Sequence, residues 1–182
     1  MCAHYPHKGS IENWITYSNV YSSVTIDSCK QLFEGENGVL LRYDLKAAES
    51  SLRLYCVHLQ SNNLVNGGMF YPDSIQSKEG MSQYLENYET AANIRHGQAK
   101  LEVGDFDNVP TIVMGDMNDV AGSPCMRVFK GAGLRDAWWN AGFGYGATIH
   151  EPLPYRIDHI LYSNRLRLKG IKKVDANGLS AH

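Results

Sequence analysis

An apolar run that stops abruptly at a glycine limits the architectures open to this chain. In the segment PTIVMGDMNDVAGSP, Pro110–Pro124, the run ends at Gly115, and two carboxylates and an amide follow at once: Asp116, Asn118 and Asp119. A buried strand that ends in this way places polar side chains at a strand terminus, where ligands bind in layered α/β proteins. The segment therefore predicts a buried strand followed by a functional or helix-capping loop.

The remaining chain alternates strand-like and helical patterns. Apolar and β-branched runs predict strands at 19–26, 38–44, 52–59, 109–114, 156–162 and 166–174, with 38–44 and 52–59 forming a hairpin. One long amphipathic helix is predicted over 79–101, with apolar groups at Met81, Leu85, Tyr88, Ala92, Ile94 and Leu101. A second helix is predicted after Ser123 as N-cap and Pro124 as first residue. The pattern predicts a layered α/β or α+β sandwich, forming a single domain over residues 1–182.

The composition narrows the classes of partner. The 182 residues are 43% hydrophobic, with a formal net charge of -2 and a sequence pI of about 6.4. No strong basic footprint for nucleic acid or anionic lipid is present, and the densest basic run, 169–173, is interpreted as a solvated loop. No apolar run is long enough for a membrane span, and the four cysteines are interpreted as reduced thiols. A monomer is expected.

A run of aromatic residues, AWWNAGFGYG, contains Trp138, Trp139, Phe143 and Tyr145. Such side chains can stack on bases or contact lipid or sugar. Packing against the sheet is the expected role, because Trp and Tyr at a helix end usually bury their rings.

Two interpretations of the polar loop in GDMND remain open. Asp116 and Asn118, on an irregular turn, can aim oxygen atoms at one point, and oxygen ligands suit Mg²⁺ or Mn²⁺ better than zinc. The same residue types commonly form Asx turns that cap a following helix. Asp119 is expected to have such a structural role.

Two other strands carry polar groups. His58 lies near the end of strand 52–59, where a histidine is more often packed or hydrogen-bonded than catalytic. In YRIDHIL, Asp158 interrupts an apolar strand and needs a partner if it is partly buried. An ion pair with Arg156 or another arginine is one interpretation, and orientation of a catalytic histidine is the other.

Four motifs in this order, VHLQS, GDMND, YRIDHIL and LSAH, resemble the endonuclease/exonuclease/phosphatase superfamily over residues 58–182. The resemblance implies a DNase I-like β-sandwich flanked by helices. It also implies a divalent-metal-dependent phosphohydrolase that cleaves a phosphodiester or phosphomonoester with Mg²⁺ or Mn²⁺ as cofactor. A phosphorylated small molecule, a lipid headgroup or nucleic acid would be the substrate.

The same motifs imply roles for individual residues. His182 matches the general base that activates water, and Asp158 matches the aspartate that pairs with this histidine. Asp116 matches the residue that binds the metal or holds the attacking water, and Asn118 matches one that holds a phosphate oxygen. His58 matches the histidine that contacts the phosphate or assists the leaving group. Phosphodiester hydrolysis requires these functions: an activated water, a base near neutral pKa and positive charge on the phosphate.

The chain departs from the family pattern in two places. Ala181 stands where members have an aspartate that helps at the metal, and alanine cannot be a ligand. No motif matches the early Asn or the Glu that is the principal metal ligand, so the chain is expected to lack the N-terminal segment of the fold. The alternative function is therefore a catalytically impaired member that binds a ligand or protein in the same cleft.

Overall fold

A computed structural model describes residues 5–12, 17–35, 38–62, 76–103, 106, 109–150 and 154–174. Within these ranges the chain forms eight strands and three helices. In order they are β1 (His7–Glu12), β2 (Tyr17–Ser22), β3 (Thr25–Gly35), β4 (Gly38–Ala47), β5 (Ser50–His58), α1 (Lys78–Val103), β6 (Thr111–Asp116), α2 (Pro124–Gly131), β7 (Arg135–Asp136), α3 (Ala137–Ala141) and β8 (Asp158–Tyr162).

Six strands form the main sheet in the order β3–β4–β5–β6–β8–β7, and β1 and β2 form a separate antiparallel pair. Strands β5 and β6 are parallel, whereas every other neighbouring pair in the main sheet is antiparallel. The chain between β5 and β6 contains α1, because a parallel pair needs a long crossover connection. The layered α/β class expected from the sequence is confirmed.

Side-chain alternation gives the main sheet two different faces. The helix face packs against the helices in a core of Leu40, Tyr55, Val57, Leu59, Ala99, Val113, Met117, Cys125, Met126, Phe129, Leu134 and Leu161. The opposite face has its own core of Val39, Leu41, Tyr43, Leu45 and Leu54, against which Val20 of β2 packs. The two sheets therefore meet on the opposite face, while the helices cover the helix face.

The long helix is confirmed, but the apolar pattern indicated the wrong side of it. Helix α1 buries Ala91, Arg95, Gln98, Ala99 and Glu102, which recur at helical spacing along one side. Apolar groups that supported the amphipathic interpretation are exposed instead: Met81, Leu85, Tyr88, Ile94 and Leu101. On the buried side, Arg95 and Gln98 contact the loops that follow β5 and β6, where polar backbone groups need partners. No helix in the described ranges is long and apolar enough to cross a membrane.

The strand expected over 166–174 is wrong. These residues have no regular secondary structure, although half-buried Leu166 and Leu168 alternate with exposed neighbours as they would in a strand. Both sides of β8 are already paired, one with β6 and the other with β7. The chain that leaves β8 therefore cannot fold back as its antiparallel partner.

The other local expectations are mostly confirmed. Strands β4 and β5 form the predicted hairpin, and the turn between them places Ala48 in the left-handed region with φ of 51°. The predicted run 19–26 is divided between β2 and β3. Helix α2 begins at Pro124, and the side chain of Ser123 accepts a hydrogen bond from the backbone N–H of Met126 at 3.2 Å.

Glu102 is a buried carboxyl group near the end of α1. The residue is 1% exposed, and both of its carboxyl oxygens lack a hydrogen-bond partner in the described part of the chain. Burial raises the pKa of Glu102 well above its ordinary value, because the charged form is poorly solvated there. Folding therefore takes up a proton at any pH between the unfolded and folded pKa values.

Glu102→Gln should remove a pH-dependent loss of stability. A carboxyl group whose pKa is raised by folding makes its largest contribution to folding stability when it is protonated in both states, below its unfolded pKa. This contribution falls as the pH rises towards the folded pKa. Relative to Glu102→Gln, the unmodified chain should lose up to about 1.4 kcal/mol of unfolding free energy per pH unit above about pH 5. Urea unfolding across this range measures the difference, with Glu89→Gln at an exposed position of α1 as the control. A constant difference between chain and variant would contradict the prediction.

Candidate functional site

Three neighbouring strands bring His58, Asp116 and Asp158 into one row at an end of the main sheet. His58, the last residue of β5, pairs with Asp116, the last residue of β6, and Asp116 pairs with Asp158, the first residue of β8. Paired residues of adjacent strands project from the same face of a sheet, and here it is the face opposite the helices. The structure therefore places three of the predicted site residues side by side.

The side chains of this row are partly accessible. The Nε2 atom of His58 lies 3.8 Å from Oδ2 of Asp116, and the two side chains are 37% and 20% exposed. An imidazole N–H donates and a carboxylate oxygen accepts, so the pair can present both a hydrogen-bond donor and a negatively charged acceptor to a ligand.

The abrupt end of β6 depends on Gly115. Its φ is +139°, and a β-carbon built at this position would lie 2.0 Å from the carbonyl oxygen of Val57. A side chain at this position would strain the backbone and push β5 away from β6, directly beside the paired His58 and Asp116. The glycine that ends the apolar run in the sequence is therefore a condition for the row to form.

Gly115→Ala should destabilise the chain by at least about 1–3 kcal/mol, because it combines an unfavourable φ with a backbone clash. Gly131→Ala is the matched control, since a β-carbon there meets no atom within 4 Å. Urea unfolding of both variants measures the effect. Equal unfolding free energies for the two variants would contradict the role assigned to Gly115.

The loop after β6 forms an Asx turn. Oδ1 of Asp116 accepts a hydrogen bond from the backbone N–H of Asn118 at 2.7 Å, and Asn118 has a left-handed φ of 49°. Nδ2 of Asn118 donates to the carbonyl oxygen of Leu59 at 2.9 Å, which ties this loop to the end of β5. The Asx turn considered from the sequence is present, but it does not cap a helix, because α2 begins only at Pro124.

Arg95 of α1 holds the two loops in place from the helix face. Its Nε donates to Oδ2 of Asp119 at 3.2 Å, and its Nη1 donates to the carbonyl oxygen of Gln60 at 2.9 Å and to Oδ1 of Asn62 at 2.8 Å. Oε1 of Gln98 accepts the backbone N–H of Gln60 at 2.9 Å. Arg95 is 0% exposed, so this network is shielded from water. Asp119 therefore has a structural role, but as the buried partner of Arg95 and not as the cap of α2, which is Ser123.

His159 connects β8 to the same network. Its Nε2 lies 2.9 Å from the carbonyl oxygen of Asp119, and its Nδ1 lies 2.8 Å from Nη1 of Arg156. A carbonyl oxygen can only accept, so Nε2–H of His159 donates to Asp119. Arg156 then pairs through Nη2 with Asp136 at 2.8 Å. An ion pair between Arg156 and Asp158, one of the expected alternatives, is therefore wrong.

Asp136 is the anionic partner in this part of the structure. Burial by itself would raise the pKa of Asp136, but the side chain of His159, the guanidinium of Arg156 and the backbone N–H of Trp139 hold it well below its ordinary value. Nδ1 of His159 lies 3.3 Å from Oδ2 of Asp136, the same carboxylate oxygen that Arg156 contacts. This group is a fixed ion pair that stabilises α3 and β8.

The sequence patterns did not point to Arg95, Gln98 or Asp136. A signal for the first two is present, because they lie at helical spacing from Ala91 and Ala99 on the buried side of α1. Asp136 precedes α3 and accepts from the N–H of Trp139, which is an N-cap pattern that gives no sign of a buried ion pair.

Arg95→Met should destabilise the chain by about 3–5 kcal/mol, because it leaves a buried carboxylate without its cation. Asp119→Asn in the same background should recover part of the loss, since it removes the uncompensated charge. Urea unfolding and a double-mutant cycle measure both effects. A loss below about 1 kcal/mol for Arg95→Met would show that the guanidinium does not hold the loops.

A cavity of ≈ 530 Å³ opens beside the row of site residues. His58 and Asp158 line it together with apolar side chains of the opposite face, among them Leu41, Met114 and Ile160. His58 and Asp158 are therefore polar groups in the lining of a mainly apolar cavity. Such a combination is typical of sites that bind a ligand with both a polar and an apolar portion.

The aromatic run lies next to this cavity and is not packed as expected. Trp138 lines the cavity, but Trp139, Phe143 and Tyr145 are 77%, 96% and 60% exposed. Helix α3 has only five residues, so the chain after it lies on the surface and cannot bury these rings against the sheet. The expectation that they pack against the sheet is wrong.

The donor set fits a divalent metal only in part. Oxygen atoms of Asp116 are suitable ligands for Mg²⁺ or Mn²⁺. In the residues that the structure describes, however, no group of three or more His, Cys, Asp or Glu side chains converges on one point. Ala181 and His182 lie outside the described residues.

Solved structures of similar fold include sphingomyelinase C from Streptomyces griseocarneus, a 275–280 form of beta toxin from Staphylococcus aureus, and a humanized D. rerio TDP2 with 14 mutations. The TM-scores are 0.55, 0.58 and 0.55, and the sequence identities are 14%, 14% and 13%. The alignments cover 88–89% of this chain and 62–65% of those chains, so this chain spans less than two thirds of their length. No curated protein sequence matches the chain.

The fold shared with these structures is DNase I-like, as the sequence motifs implied. A sequence profile described as the endonuclease/exonuclease/phosphatase family matches residues 20–182. This match includes all four motifs and most of the chain. The chain belongs to the endonuclease/exonuclease/phosphatase family.

Proposed function

We propose that the protein is a phosphoester hydrolase that depends on a divalent metal and cleaves a phosphodiester or phosphomonoester by attack of water. The observation that carries this proposal is the row of His58, Asp116 and Asp158 on one face of the sheet in a member of this family. Residues from three separate motifs meet beside one cavity, and this arrangement supports a common action on one ligand.

His182 is the proposed general base, and Asp158 would hold its imidazole in the orientation that accepts a proton from water. A carboxylate beside an imidazole also stabilises the imidazolium formed in this step. His58, on the other side of Asp116, would donate to a phosphate oxygen or to the leaving group. Asn118 would bind a phosphate oxygen through the amide hydrogen that is not used in its bond to Leu59.

Asp116 is the proposed metal ligand among the described residues. Its Oδ1 is held by the N–H of Asn118, and this contact orients the carboxylate towards the cavity side of the sheet. A bound Mg²⁺ or Mn²⁺ would supply positive charge to the phosphate, which this chain needs because its net charge is -2. The remaining ligands would have to come from residues outside the described ranges.

Hydrolysis of bis(p-nitrophenyl) phosphate with and without Mg²⁺ or Mn²⁺ tests the proposal. His182→Asn should lower kcat by about 10²–10⁴, because it removes the base. Asp158→Asn and His58→Asn should lower kcat as well, and Ala181→Asp should raise the metal-dependent rate by adding a carboxylate.

His7→Asn, on β1 and outside the site, is the control for loss of a histidine. The absence of metal-dependent turnover in both the chain and Ala181→Asp, on a panel of phosphodiesters and phosphomonoesters, would contradict the proposed activity. Equal rates for the chain and His182→Asn would contradict the proposed base.

The second candidate function is a binding module that uses the same cleft without catalysis. Ala181, where an aspartate stands in the family pattern, is the observation that favours it. Calorimetric titration with Mg²⁺ separates the two functions. A catalytic chain should bind the ion and be stabilised by it, whereas a module without a metal site should show neither heat nor a thermal shift.

A further inference from the structure

The loop GFGYG, residues 142–146, is built to display aromatic side chains. Its backbone wraps around Trp138, whose Nε1 donates to the carbonyl oxygen of Gly144 at 3.0 Å. β-Carbons at Gly142 and Gly146 would lie 2.4 and 2.3 Å from the indole of Trp138, so only glycine permits this approach. The side chains between the glycines are Phe143 and Tyr145, which are 96% and 60% exposed.

A basic segment runs beside this loop. Residues 163–174, SNRLRLKGIKKV, contain five of the 17 Lys and Arg residues of the chain and no Asp or Glu. Leu166 and Leu168 of this segment are half-buried. All five cations are exposed: Arg165, Arg167, Lys169, Lys172 and Lys173. The segment therefore concentrates positive charge on the surface of a chain whose net charge is -2.

The aromatic loop and the basic segment adjoin at both ends of the loop. Before the loop, Ala141 and Arg167 line one shallow cavity together. After it, Nζ of Lys173 donates to the carbonyl oxygen of Ala147 at 2.5 Å. Gly146 and Lys172 also line the cavity that contains His58. We call the loop 142–146 and the segment 163–174 together the aromatic–basic surface.

We propose that the aromatic–basic surface docks the protein on an anionic phospholipid membrane. Phe143 would enter the acyl boundary and Tyr145 would lie at the headgroup level, where amphipathic rings are favoured. The cations beside them would attract the negative lipid headgroups. The densest basic run of the sequence, 169–173, therefore lies beside the loop from which the aromatic rings project.

Single-stranded nucleic acid is the competing occupant of an aromatic and basic surface. Proteins that bind it place aromatic rings along a charged groove, where bases stack on their faces. Phe143 instead projects from a loop and is 96% exposed, so among the described residues its ring does not line a groove. This geometry favours insertion into a lipid layer over stacking.

Membrane docking would turn the cavity beside His58 towards the lipid surface, because Gly146 and Lys172 form part of its lining. This consequence rests on the proposed phosphoester hydrolysis and would make a phospholipid headgroup the substrate class. The docking itself does not depend on catalysis, so a binding measurement can fail or succeed independently of the activity assay.

Cosedimentation with phosphatidylcholine vesicles, with and without an equal amount of phosphatidylserine, tests the proposal. The chain should bind the anionic vesicles, and Phe143→Ser should lower the partition coefficient about tenfold. Lys172→Gln and Lys169→Gln should each lower it about fivefold, and added salt should weaken binding. A single-stranded oligonucleotide, measured by fluorescence anisotropy, probes the competing occupant.

Matched controls lie on α1, which covers the other face of the sheet. Leu101→Ser and Lys100→Gln remove an exposed leucine and an exposed lysine there, and both variants should bind vesicles like the unmodified chain. Because Phe143 and Lys172 are exposed, their variants should also unfold at the same urea concentration as the chain.

Three results would overturn the proposal. The first is equal partitioning of the chain and Phe143→Ser on anionic vesicles, or no partitioning at all. The second is loss of binding in Leu101→Ser, which would place the contact on α1. The third is binding of the oligonucleotide, but not of vesicles, that is lost in Phe143→Ser.

Discussion

The buried guanidinium of Arg95 is the interaction on which the candidate site most depends. One carboxylate and two other oxygen acceptors, from Asp119, Gln60 and Asn62, replace the hydration of its Nε and Nη1, while Nη2 has no partner among the described residues. These partners belong to the loops that follow β5 and β6, so one side chain of α1 sets the positions of both. The carbonyl of Asp119 then receives His159, which extends the same constraint to β8.

The two faces of the main sheet divide structural from functional groups. His159 projects to the helix face and is a buried hydrogen-bonded group, while its neighbour Asp158 projects to the opposite face and joins His58 and Asp116. One step along a strand changes the face, so adjacent ionisable residues have different surroundings. On the helix face, Arg95 and His159 are hydrogen-bonded in a buried network, whereas His58 and Asp158 on the opposite face border a cavity.

The elements that the sequence predicted well are those set by local chemistry. The β4–β5 hairpin follows from two apolar runs around a polar turn, and α2 follows from Ser123 as cap and Pro124 as first residue. The elements that it predicted wrongly depend on neighbours that are distant in sequence. Residues 166–174 follow a strand that is already paired on both sides, and α1 buries Arg95 and Gln98 because the loops after β5 and β6 lie beneath it.

By itself, the sequence determined the order of the motifs, the abrupt end of β6 at Gly115 and the membership in a family with a DNase I-like fold, because motif chemistry and backbone restrictions are local. Only the tertiary structure decided which groups meet. The register of three strands aligned His58, Asp116 and Asp158, and the short helix α3 left Phe143 and Tyr145 at the surface. Register and exposure arise from contacts between segments far apart in the chain, so no local pattern contains them.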